Sequence, residues 1–365
     1  MPEDPAALHV VGVTGTGRLI HTTRTPGAWT PFVDVFGPAA ADQPQLQGNV
    51  TEVAAARAVN LLGGAPAAPV FPEALIVAVL VSTQPRPLFF YRYADTGQWL
   101  PMGTVNAIAG TRRLAITCAN GYPSVFGGPM FDPVARLHLA WIGAAGQLIV
   151  TSSPVVAPGV TGPVVDVEDS SGITRGAFRV PALAGFAASD QVTSAKLSGI
   201  TADGHLYESI VKSDGGVEVL QDVETAGAGN AGELVDIALA VATRGDGLEY
   251  YGAVTGDRRV LLATRHPVTG TWTTWRNLEE ADFAIIGNGV FIPYRDIFDF
   301  GTFERLALAT TTEGLHVLGV SSNGHLFHQL QPSSVTHPSR GQEFRDVETI
   351  GVGADAGEFV AIAAA

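Results

Sequence analysis

Three arginines are each followed within a few residues by a tryptophan, and these pairs are the best candidates for ligand contact. The pairs are Arg24 with Trp29, Arg92 with Trp99, and Arg265 with Trp272. An arginine offers a rigid fork of hydrogen-bond donors, and an indole offers a flat apolar face. Together they could hold a molecule that presents both hydroxyl groups and an apolar face, as a sugar does. The alternative is that each arginine stacks on its tryptophan as a structural cation–π pair.

A second group of candidates lies in a segment that fits no repeat of the chain. Residues 283–300 are apolar and aromatic and carry Tyr294 and Arg295 among the rings. Residues 121–132, rich in glycine and aromatic side chains, sit at the equivalent place in another repeat. Apolar loops of this kind must bury their side chains over the central channel or against a partner. We therefore expect both segments to lie on the same face of the fold. They would form either the rim of a pocket, with Tyr294 and Arg295 as ligand contacts, or a structural plug.

No motif for catalysis, metal binding or cofactor binding is present. Cys118 is the single cysteine and lies in an apolar run, which favours a small buried residue over a nucleophile. His9, His138 and His316 occupy one matched strand position, each alone in its own repeat, which is not zinc-ligand spacing. No helix follows the glycines at 15 and 17, and Gly-x-Ser-x-Gly is absent. We therefore predict no catalytic residue, no metal and no cofactor.

The charge balance narrows the range of partners. The 365 residues carry a formal net charge of -14, which disfavours nucleic acid and anionic membrane surfaces. No run of about 18 apolar residues is present, and the acidic N-terminus does not resemble a secretory signal. We expect a cytoplasmic protein without membrane insertion, leaving non-classical release open. A glycan or another small molecule is the expected partner, and a homo-oligomer remains open.

The elements that must position these residues recur six times along the chain. Each copy is an apolar strand, a polar turn and a second strand, which together predict a β-hairpin. The turn of four copies carries a glycine suited to positive φ. The hairpins span residues 8–23, 74–92, 137–152, 195–209, 248–265 and 315–329.

Two further strands are predicted around each hairpin. A strand of small residues precedes it, suited to the crowded centre of a ring, and a short outer strand follows it. Five outer strands end in a short acid or amide, which we expect to accept hydrogen bonds from backbone amides of the next turn. These residues are Asp34, Asp166, Asp222, Asn277 and Asp346.

This order of elements predicts an all-β fold, a six-bladed β-propeller with four-stranded antiparallel blades. The C-terminal small-residue strand, 357–365, would join residues 8–36 to complete blade 1, and blades 2–6 would span about 50–352. Closing the ring in this way removes exposed strand edges. The whole chain, 1–365, would form one propeller domain. A seventh blade hidden in the inserts near 37–48 or 60–72 is the alternative.

The repeat resembles that of bacterial and fungal propeller lectins, including tectonin-type and fucose-binding ones. The similarity rests on Gly-x-Leu, an aromatic or apolar residue and His, followed by Gly-x-Trp, as in 17–21 with 27–29 and 324–328. It implies sugar sites between neighbouring blades, with Trp or Tyr stacking and hydrogen bonds from Arg and Glu. Three copies carry Val164, Val219 or Phe344 at or near the place of the tryptophan. Only a subset of sites is therefore expected.

These observations favour a non-catalytic, lectin-like module that binds carbohydrate or another ligand. One alternative is an enzyme that holds an apolar substrate on one propeller face, under residues 121–132 and 283–300. Propeller hydrolases usually carry axial Asp, Asn, Glu or His, whereas the inner strands here consist mostly of Ala, Leu and Thr. A protein-interaction scaffold is the other alternative.

Overall fold

The structure is a computed structural model of the 365-residue chain. The described residues are 7–26, 28–37, 49–61, 71–84, 86–94, 97–104, 110–119, 136–154, 162–187, 193–212, 214–242, 247–279, 283–286, 290–293, 302–332, 344–349 and 356–365. In these residues no helix is long and apolar enough to cross a membrane.

Strands dominate the described residues. In the first half of the chain they are β1 (Leu8–Thr14), β2 (Leu19–Thr25), β3 (Ala28–Trp29), β4 (Val33–Asp34), β5 (Val50–Leu61), β6 (Phe71–Val81), β7 (Leu88–Tyr93), β8 (Trp99–Thr104), β9 (Arg113–Ala119), β10 (Arg136–Ile142), β11 (Leu148–Pro154), β12 (Val165–Asp166) and β13 (Phe178–Ala187). In the second half they are β14 (Thr193–Thr201), β15 (Leu206–Val211), β16 (Gln221–Asp222), β17 (Leu234–Val241), β18 (Glu249–Thr255), β19 (Val260–Arg265), β20 (Arg276–Asn277), β21 (Phe283–Ile286), β22 (Val290–Pro293), β23 (Phe303–Thr310), β24 (Gly314–Ser321), β25 (Leu326–Pro332), β26 (Arg345–Asp346) and β27 (Phe359–Ala364). A short helix, Val167–Ser171, and a π-helical turn, Glu224–Ala228, follow β12 and β16.

The strands form the six blades of a β-propeller. Blade 1 combines β27, β1 and β2 with the short β3 and β4, both of which pair with β2. Blades 2 to 6 are β5–β8, β9–β12, β13–β16, β17–β20 and β23–β26, each an antiparallel sheet ordered from the axis outward. The prediction of six four-stranded blades is confirmed, and the seven-bladed alternative is wrong.

Ring closure depends on the pairing of the two ends of the chain. β27 pairs antiparallel with β1, so that Val10 lies opposite Ala364 and Gly12 lies opposite Ile362. The inner strands β27, β5, β9, β13, β17 and β23 contact one another in turn around the axis. The ring therefore closes by packing of the blades, and the free edge of each inner strand faces the axis, where it is protected.

Hydrophobic packing fills the space between blades. Six buried clusters each combine side chains from two neighbouring blades, as where Val11 and Val13 of blade 1 meet Val77 and Val79 of blade 2. Because strand side chains alternate between faces, consecutive residues of one strand line two different interfaces. This alternation decides which polar residues meet across each cleft.

The repeated acids cap the turns that follow the outer strands, as predicted. Asp222 accepts hydrogen bonds from the amides of Glu224 and Thr225 at 2.9 and 3.2 Å. The other four each accept from the amide two residues later, at 2.8–3.1 Å. These acceptors are Asp34, Asp166, Asn277 and Asp346.

The turn chemistry agrees with the sequence in four blades and differs in blade 5. Gly17, Gly146, Gly204 and Gly324 all adopt positive φ, between 73° and 88°. In blade 5 the turn places Arg258, rather than a glycine, at φ 69°. The left-handed conformation is costly for a residue with a Cβ, so this turn stores strain.

The axis contains charges that sequence reasoning missed. Glu52, Arg113, Asp236 and Arg305 occupy one register level of four inner strands, each opposite a residue near the end of its second strand. Arg113 Nη1 lies 3.0 Å from Glu52 Oε2, and Arg113 Nη2 lies 3.6 Å from Asp236 Oδ1. Arg305 Nη2 lies 3.8 Å from Glu52 Oε2. The inner strands, which consist mostly of Ala, Leu and Thr, therefore also bring acidic side chains to the axis, and the sequence interpretation did not include them.

The segment 283–300 also departs from the expectation of a loop. Its described part is an antiparallel hairpin, in which Phe283 pairs with Pro293 and Ile286 pairs with Val290. Tyr294 and Arg295 lie outside the described residues, as does the segment 121–132. Their proposed role at a pocket rim stays a prediction.

Candidate functional site

The three arginine–tryptophan pairs lie at three of the six interfaces between blades. Each pair bridges the outer end of a third strand and the segment that begins the fourth. Arg24 pairs with Trp29, Arg92 with Trp99, and Arg265 with Trp272. Blade 1 turns its pair toward blade 6, blade 2 toward blade 1, and blade 5 toward blade 4. We call these interfaces cleft 6/1, cleft 1/2 and cleft 4/5.

The glycine of the Gly-x-Trp motif has a geometric reason in two of these hairpins. Gly97 and Gly270 adopt φ of 67° and 68°. A Cβ on Gly97 would lie 3.1 Å from Arg92 Nη2, and one on Gly270 would lie 3.7 Å from Arg265 Nη2. Glycine therefore supplies the turn conformation in both hairpins, and at Gly97 it also leaves room beside the guanidinium.

At the rim of cleft 6/1, blade 6 supplies partners for both members of the pair. Arg24 donates through Nη1 to Glu313 Oε2, and its side chain is 11% exposed. The half-buried ring of Trp29 meets the edge of His328, with centroids 5.3 Å apart and planes at 82°. The guanidinium thus points at a carboxylate and the indole rests on a histidine.

Cleft 1/2 repeats this arrangement one blade further on. The ring of Trp99 meets His21 of blade 1 edge-on, with centroids 5.4 Å apart and planes at 81°. Arg92 lies close enough to lower the pKa of His21 through its charge. A tryptophan, an arginine and a third-strand histidine therefore recur in the same relation.

Behind the rims of these two clefts lie two buried pairs of histidines. His316 Nδ1 is 2.9 Å from His328 Nε2, and His9 Nδ1 is 3.1 Å from His21 Nε2. The rings are stacked, with interplanar angles of 23° and 17°. Thr311 Oγ1 holds the far nitrogen of His316 at 2.8 Å. The expectation that His9 and His316 are each alone in their repeats is wrong.

Burial keeps all four of these imidazoles neutral at ordinary pH. Desolvation, then the charge of Arg92, lowers the pKa of His21 to about 3. Desolvation, then Arg24, lowers that of His316 to about 3. The pKa values of His9 and His328 are lowered in the same direction by burial and then by their partner histidines. In each pair one neutral ring donates to the other.

Cleft 4/5 has the same rim but an ionic interior. Arg265 Nη1 lies 3.2 Å from Glu249 Oε2, and its side chain is 20% exposed. Trp272 packs on Tyr251 with ring centroids 4.6 Å apart. Trp272 also faces blade 4, where a Cβ on Gly227 would lie 3.6 Å from its ring.

The buried part of cleft 4/5 is a network of four polar groups. Lys196 Nζ lies 3.0 Å from Glu208 Oε2 and 3.6 Å from Glu249 Oε2. Tyr251 donates to Glu208 Oε2 at 2.5 Å, with Glu249 Oε2 at 3.2 Å. Burial, followed by the two carboxylates, raises the pKa of Tyr251 well above its ordinary value. The hydroxyl therefore remains protonated, and a donor, at neutral pH.

The other three interfaces lack the arginine–tryptophan pair in the described residues, and in cleft 5/6 Gln331 takes the place of the arginine and accepts from Arg276 Nη2 of blade 5 at 3.3 Å. In cleft 3/4 the bridge Val211–Val217 replaces the bridge Arg265–Trp272, and both valines pack in an apolar cluster. His138, at the register of His9 and His316, faces this cluster with both ring nitrogens buried and unpartnered. In cleft 2/3, Ile76 and Phe89 pack among apolar neighbours.

Two other features lie outside the three clefts. An axial cavity of about 390 Å³ is lined mainly by the ends of the small-residue strands, with Cys118 and Arg57 among its walls. Burial raises the pKa of the Cys118 thiol to about 12, which makes it a poor nucleophile and supports the buried, inert assignment. At the outer edge, His325 Nδ1 lies 3.4 Å from Asp346 Oδ2 and 3.2 Å from Glu348 Oε2.

The comparisons with known proteins establish the fold. The sequence matches no protein-family model, and no curated protein matches it. A variant of the Aleuria aurantia lectin in complex with Fucalpha1-6GlcNAc superposes with a TM-score of 0.58 at 12% identity, covering 96% of this chain and 94% of its own. AofleA from Arthrobotrys oligospora superposes with a TM-score of 0.55 at 11% identity, covering 100% and 90%. The BP39L lectin from Burkholderia pseudomallei gives 0.51 at 16%, covering 94% and 81%.

Proposed function

We propose that this protein is a carbohydrate-binding propeller that uses clefts 6/1, 1/2 and 4/5 as its ligand sites. The observation that carries the proposal is the threefold recurrence of one rim, an arginine beside a half-buried tryptophan facing buried polar groups of the preceding blade. Three clefts on one disc, out of six with the same backbone, carry this set.

The chemistry of the rim suits a saccharide. The indole gives an apolar face for the C–H side of a pyranose ring, and the guanidinium gives paired donors for vicinal hydroxyl groups. Glu313 in cleft 6/1 and Glu249 in cleft 4/5 place a carboxylate acceptor against that guanidinium. Donor, acceptor and flat apolar face are then within reach of one monosaccharide.

Fucose is the first sugar to test. The solved neighbours include a lectin described as fucose-specific, from Aleuria aurantia. That likeness supports the choice of probe, while the chemistry of the rim alone is compatible with other neutral sugars. Several weak sites on one disc raise the affinity for a surface bearing many copies of the ligand. Binding to a glycan-coated surface should therefore be far tighter than binding to the free monosaccharide.

The experiment is a glycan array followed by calorimetry with the sugars that bind. The triple variant Trp29→Ala, Trp99→Ala and Trp272→Ala should abolish array binding. Each single variant should remove one site, because losing the stacked ring costs more than about 1 kcal/mol of binding free energy.

Val268→Ala is the matched control. Val268 lies in the turn of the β19–β20 hairpin that carries Trp272, and it is 86% exposed. Its affinity should equal that of the parent protein. No array signal and no saturable binding of a monosaccharide would rule the proposal out. A sugar-soaked crystal with density in the axial cavity would instead favour a single-site binding protein or enzyme.

A further inference from the structure

Each of the three clefts contains a chain of buried contacts between polar and aromatic side chains that leads to its rim tryptophan. We call each such chain a relay. In cleft 6/1 the chain runs from His316 to His328 to Trp29. In cleft 1/2 it runs through His9 and His21 to Trp99. The first residue is always on the second strand of one blade, and the tryptophan is always on the next blade.

The two histidine chains agree closely in geometry. Their histidine rings have centroids 5.2 and 5.4 Å apart, and their histidine–tryptophan planes cross at 82° and 81°. Two separate parts of the sequence thus build the same support. Edge-to-face contact is a favoured geometry for aromatic rings, and it fixes the tilt of the indole that it touches.

Cleft 4/5 reaches the same end with different groups. Lys196 pairs with Glu208, Glu208 accepts from Tyr251, and Tyr251 packs on Trp272. Lys196 and Glu208 have only 3% and 2% of their side chains exposed, so a ligand reaches neither. Any influence of Lys196 and Glu208 on a bound molecule must therefore be transmitted by Tyr251 and the residues of the rim.

The chain offers a natural counterexample in blade 3. His138 holds the register of His9 and His316, yet the place of its third-strand partner is taken by Val150, and blade 4 has Val217 where the tryptophan would be. A histidine without a relay therefore occurs where there is no tryptophan to orient.

We infer that these buried chains are positioning devices that fix the orientation of the rim tryptophans, and that their two chemistries make two kinds of site. Clefts 6/1 and 1/2 form an equivalent histidine-backed pair, and cleft 4/5 is a distinct ionic site. A tryptophan held in its binding orientation before the ligand arrives loses less freedom on binding. The ligand part of this inference rests on the proposed function, but the orientation part does not.

Fluorine NMR of protein labelled with 5-fluorotryptophan tests orientation without any ligand. The chain has five tryptophans, so five resonances are expected, assigned by Trp→Phe variants. His316→Leu should shift the resonance of Trp29, although His316 reaches Trp29 only through His328. Lys196→Met should shift the resonance of Trp272 in the same way. His138→Leu, the matched control, should move none of the three rim resonances.

Two outcomes would overturn the orientation part. One is an unmoved Trp29 resonance in folded His316→Leu. The other is an equal shift of all three rim resonances in every variant, which would mean general loosening. If His316→Leu fails to fold, His316→Asn replaces it, since its amide keeps a polar atom near Nδ1 but cannot stack on the ring of His328. It should also shift the resonance of Trp29, and an unmoved Trp29 resonance in folded His316→Asn would contradict the relay.

Calorimetry with the best monosaccharide from the array tests the two kinds of site. The isotherm should resolve two equivalent sites and one of different affinity. His316→Asn should weaken one member of the pair about fivefold or more, and Lys196→Met should affect only the single site. Three identical sites would overturn the division. If the tryptophan variants bind as the parent does, the proposed function fails, while the fluorine spectra still decide whether the relays exist.

Discussion

Clefts 4/5 and 3/4 start from the same backbone and differ in what fills them. Cleft 4/5 buries a lysine and two glutamates behind an exposed rim, whereas cleft 3/4 packs Val211 and Val217 at the corresponding bridge. Both interfaces close the ring. The apolar version shows that the propeller does not need buried charge to hold neighbouring blades together.

That difference bears on why the polar clefts exist. Replacing a buried ion pair by well-packed apolar residues is often neutral or stabilising, because the desolvation penalty rivals the Coulomb attraction. We therefore do not expect the ionic interior of cleft 4/5 to stabilise the fold more than apolar packing would. The same holds for the histidine pairs of clefts 6/1 and 1/2, whose rings must also be desolvated. Their coincidence with the three rim tryptophans favours a role in recognition.

The largest effect that separates the two kinds of interface should be acid sensitivity. The buried histidines keep low pKa values in the folded protein, about 3 for His21 and His316, against an ordinary 6.5. Below pH 6.5 the unfolded chain binds more protons, so stability present above that pH is lost as the pH falls toward 3. Each ring costs about 1.4 kcal/mol per pH unit, or about 4 kcal/mol for these two at pH 5. Urea unfolding at pH 7.5 and 5 measures the loss.

The axial carboxyl groups should oppose this trend in part. Burial raises the pKa of Asp236 to about 6 and raises that of Glu52, with Arg113 pulling both down again. An acid with a raised folded pKa favours the folded state as the pH falls through that value. Asp236 should offset about 1 kcal/mol of the loss between pH 7 and 5, and Asp236→Asn removes this offset. Equal stability of the parent at pH 7.5 and 5 would mean that the histidines are not buried as described.

The next largest effect should come from breaking the ionic network. Lys196→Met leaves Glu208 and Glu249 buried with less compensating charge, and we expect a loss of about 3–5 kcal/mol in unfolding free energy. Lys212→Met is the control, because Lys212 directly follows the neighbouring strand β15 and has 48% of its side chain exposed. It should change stability by less than about 0.5 kcal/mol. Similar losses in the two variants would show that the network is not isolated from water.

Much of the fold could be predicted from the sequence because it depends on local patterns. Turn glycines, small-residue strands and the acids that end the outer strands are each visible within one repeat. The tryptophans at 29, 99 and 272 lie beside their arginines as the spacing suggested, each at an interface between blades. These signals need no knowledge of which blade lies next to which.

The partners across the clefts could not be predicted in this way. Arg24 meets Glu313 from the other end of the chain, and finding that contact requires both ring closure and the face on which each side chain lies. The histidine pairs did leave a signal, since His9 and His21 have the same 12-residue separation as His316 and His328. Strand register alone would have brought them together.

The axial charges were missed for a different reason. The three inner strands that carry Glu52, Asp236 and Arg305 each have a register shift at their start, at Val50/Glu52, Leu234/Asp236 and Phe303/Arg305. A β-bulge breaks the alternation from which side-chain faces are predicted. The charged residue then lies immediately before the recognisable run of small residues and is read as part of the turn.

A smaller effect should be common to polar and apolar interfaces. The acids that cap the outer turns occur in blades of both kinds, so Asp166→Ala in blade 3 and Asp346→Ala in blade 6 should behave alike. Each should lose on the order of 1 kcal/mol through the lost amide hydrogen bonds and leave glycan binding unchanged. Thermal unfolding and calorimetry of both variants test this. Lost binding with unchanged melting would make these acids functional.

The smallest effect should be a gain, at the one histidine that lacks a relay. Both ring nitrogens of His138 are buried without a hydrogen-bond partner among the described residues. Burial, then Arg136, lowers its pKa to about 4. An unsatisfied buried polar group costs about 1–3 kcal/mol, part of which a differently shaped side chain would lose again. His138→Leu should therefore gain up to about 1 kcal/mol of unfolding free energy at pH 7.5 and more at pH 5, where the unfolded histidine would be protonated.

His9→Leu is the comparison for this gain, because it breaks a hydrogen-bonded pair and should lose stability at pH 7.5. Urea unfolding of both variants compares them directly. A loss in His138→Leu as large as in His9→Leu would mean that His138 has a polar partner, and that cleft 3/4 is less different from the polar clefts than its valines indicate.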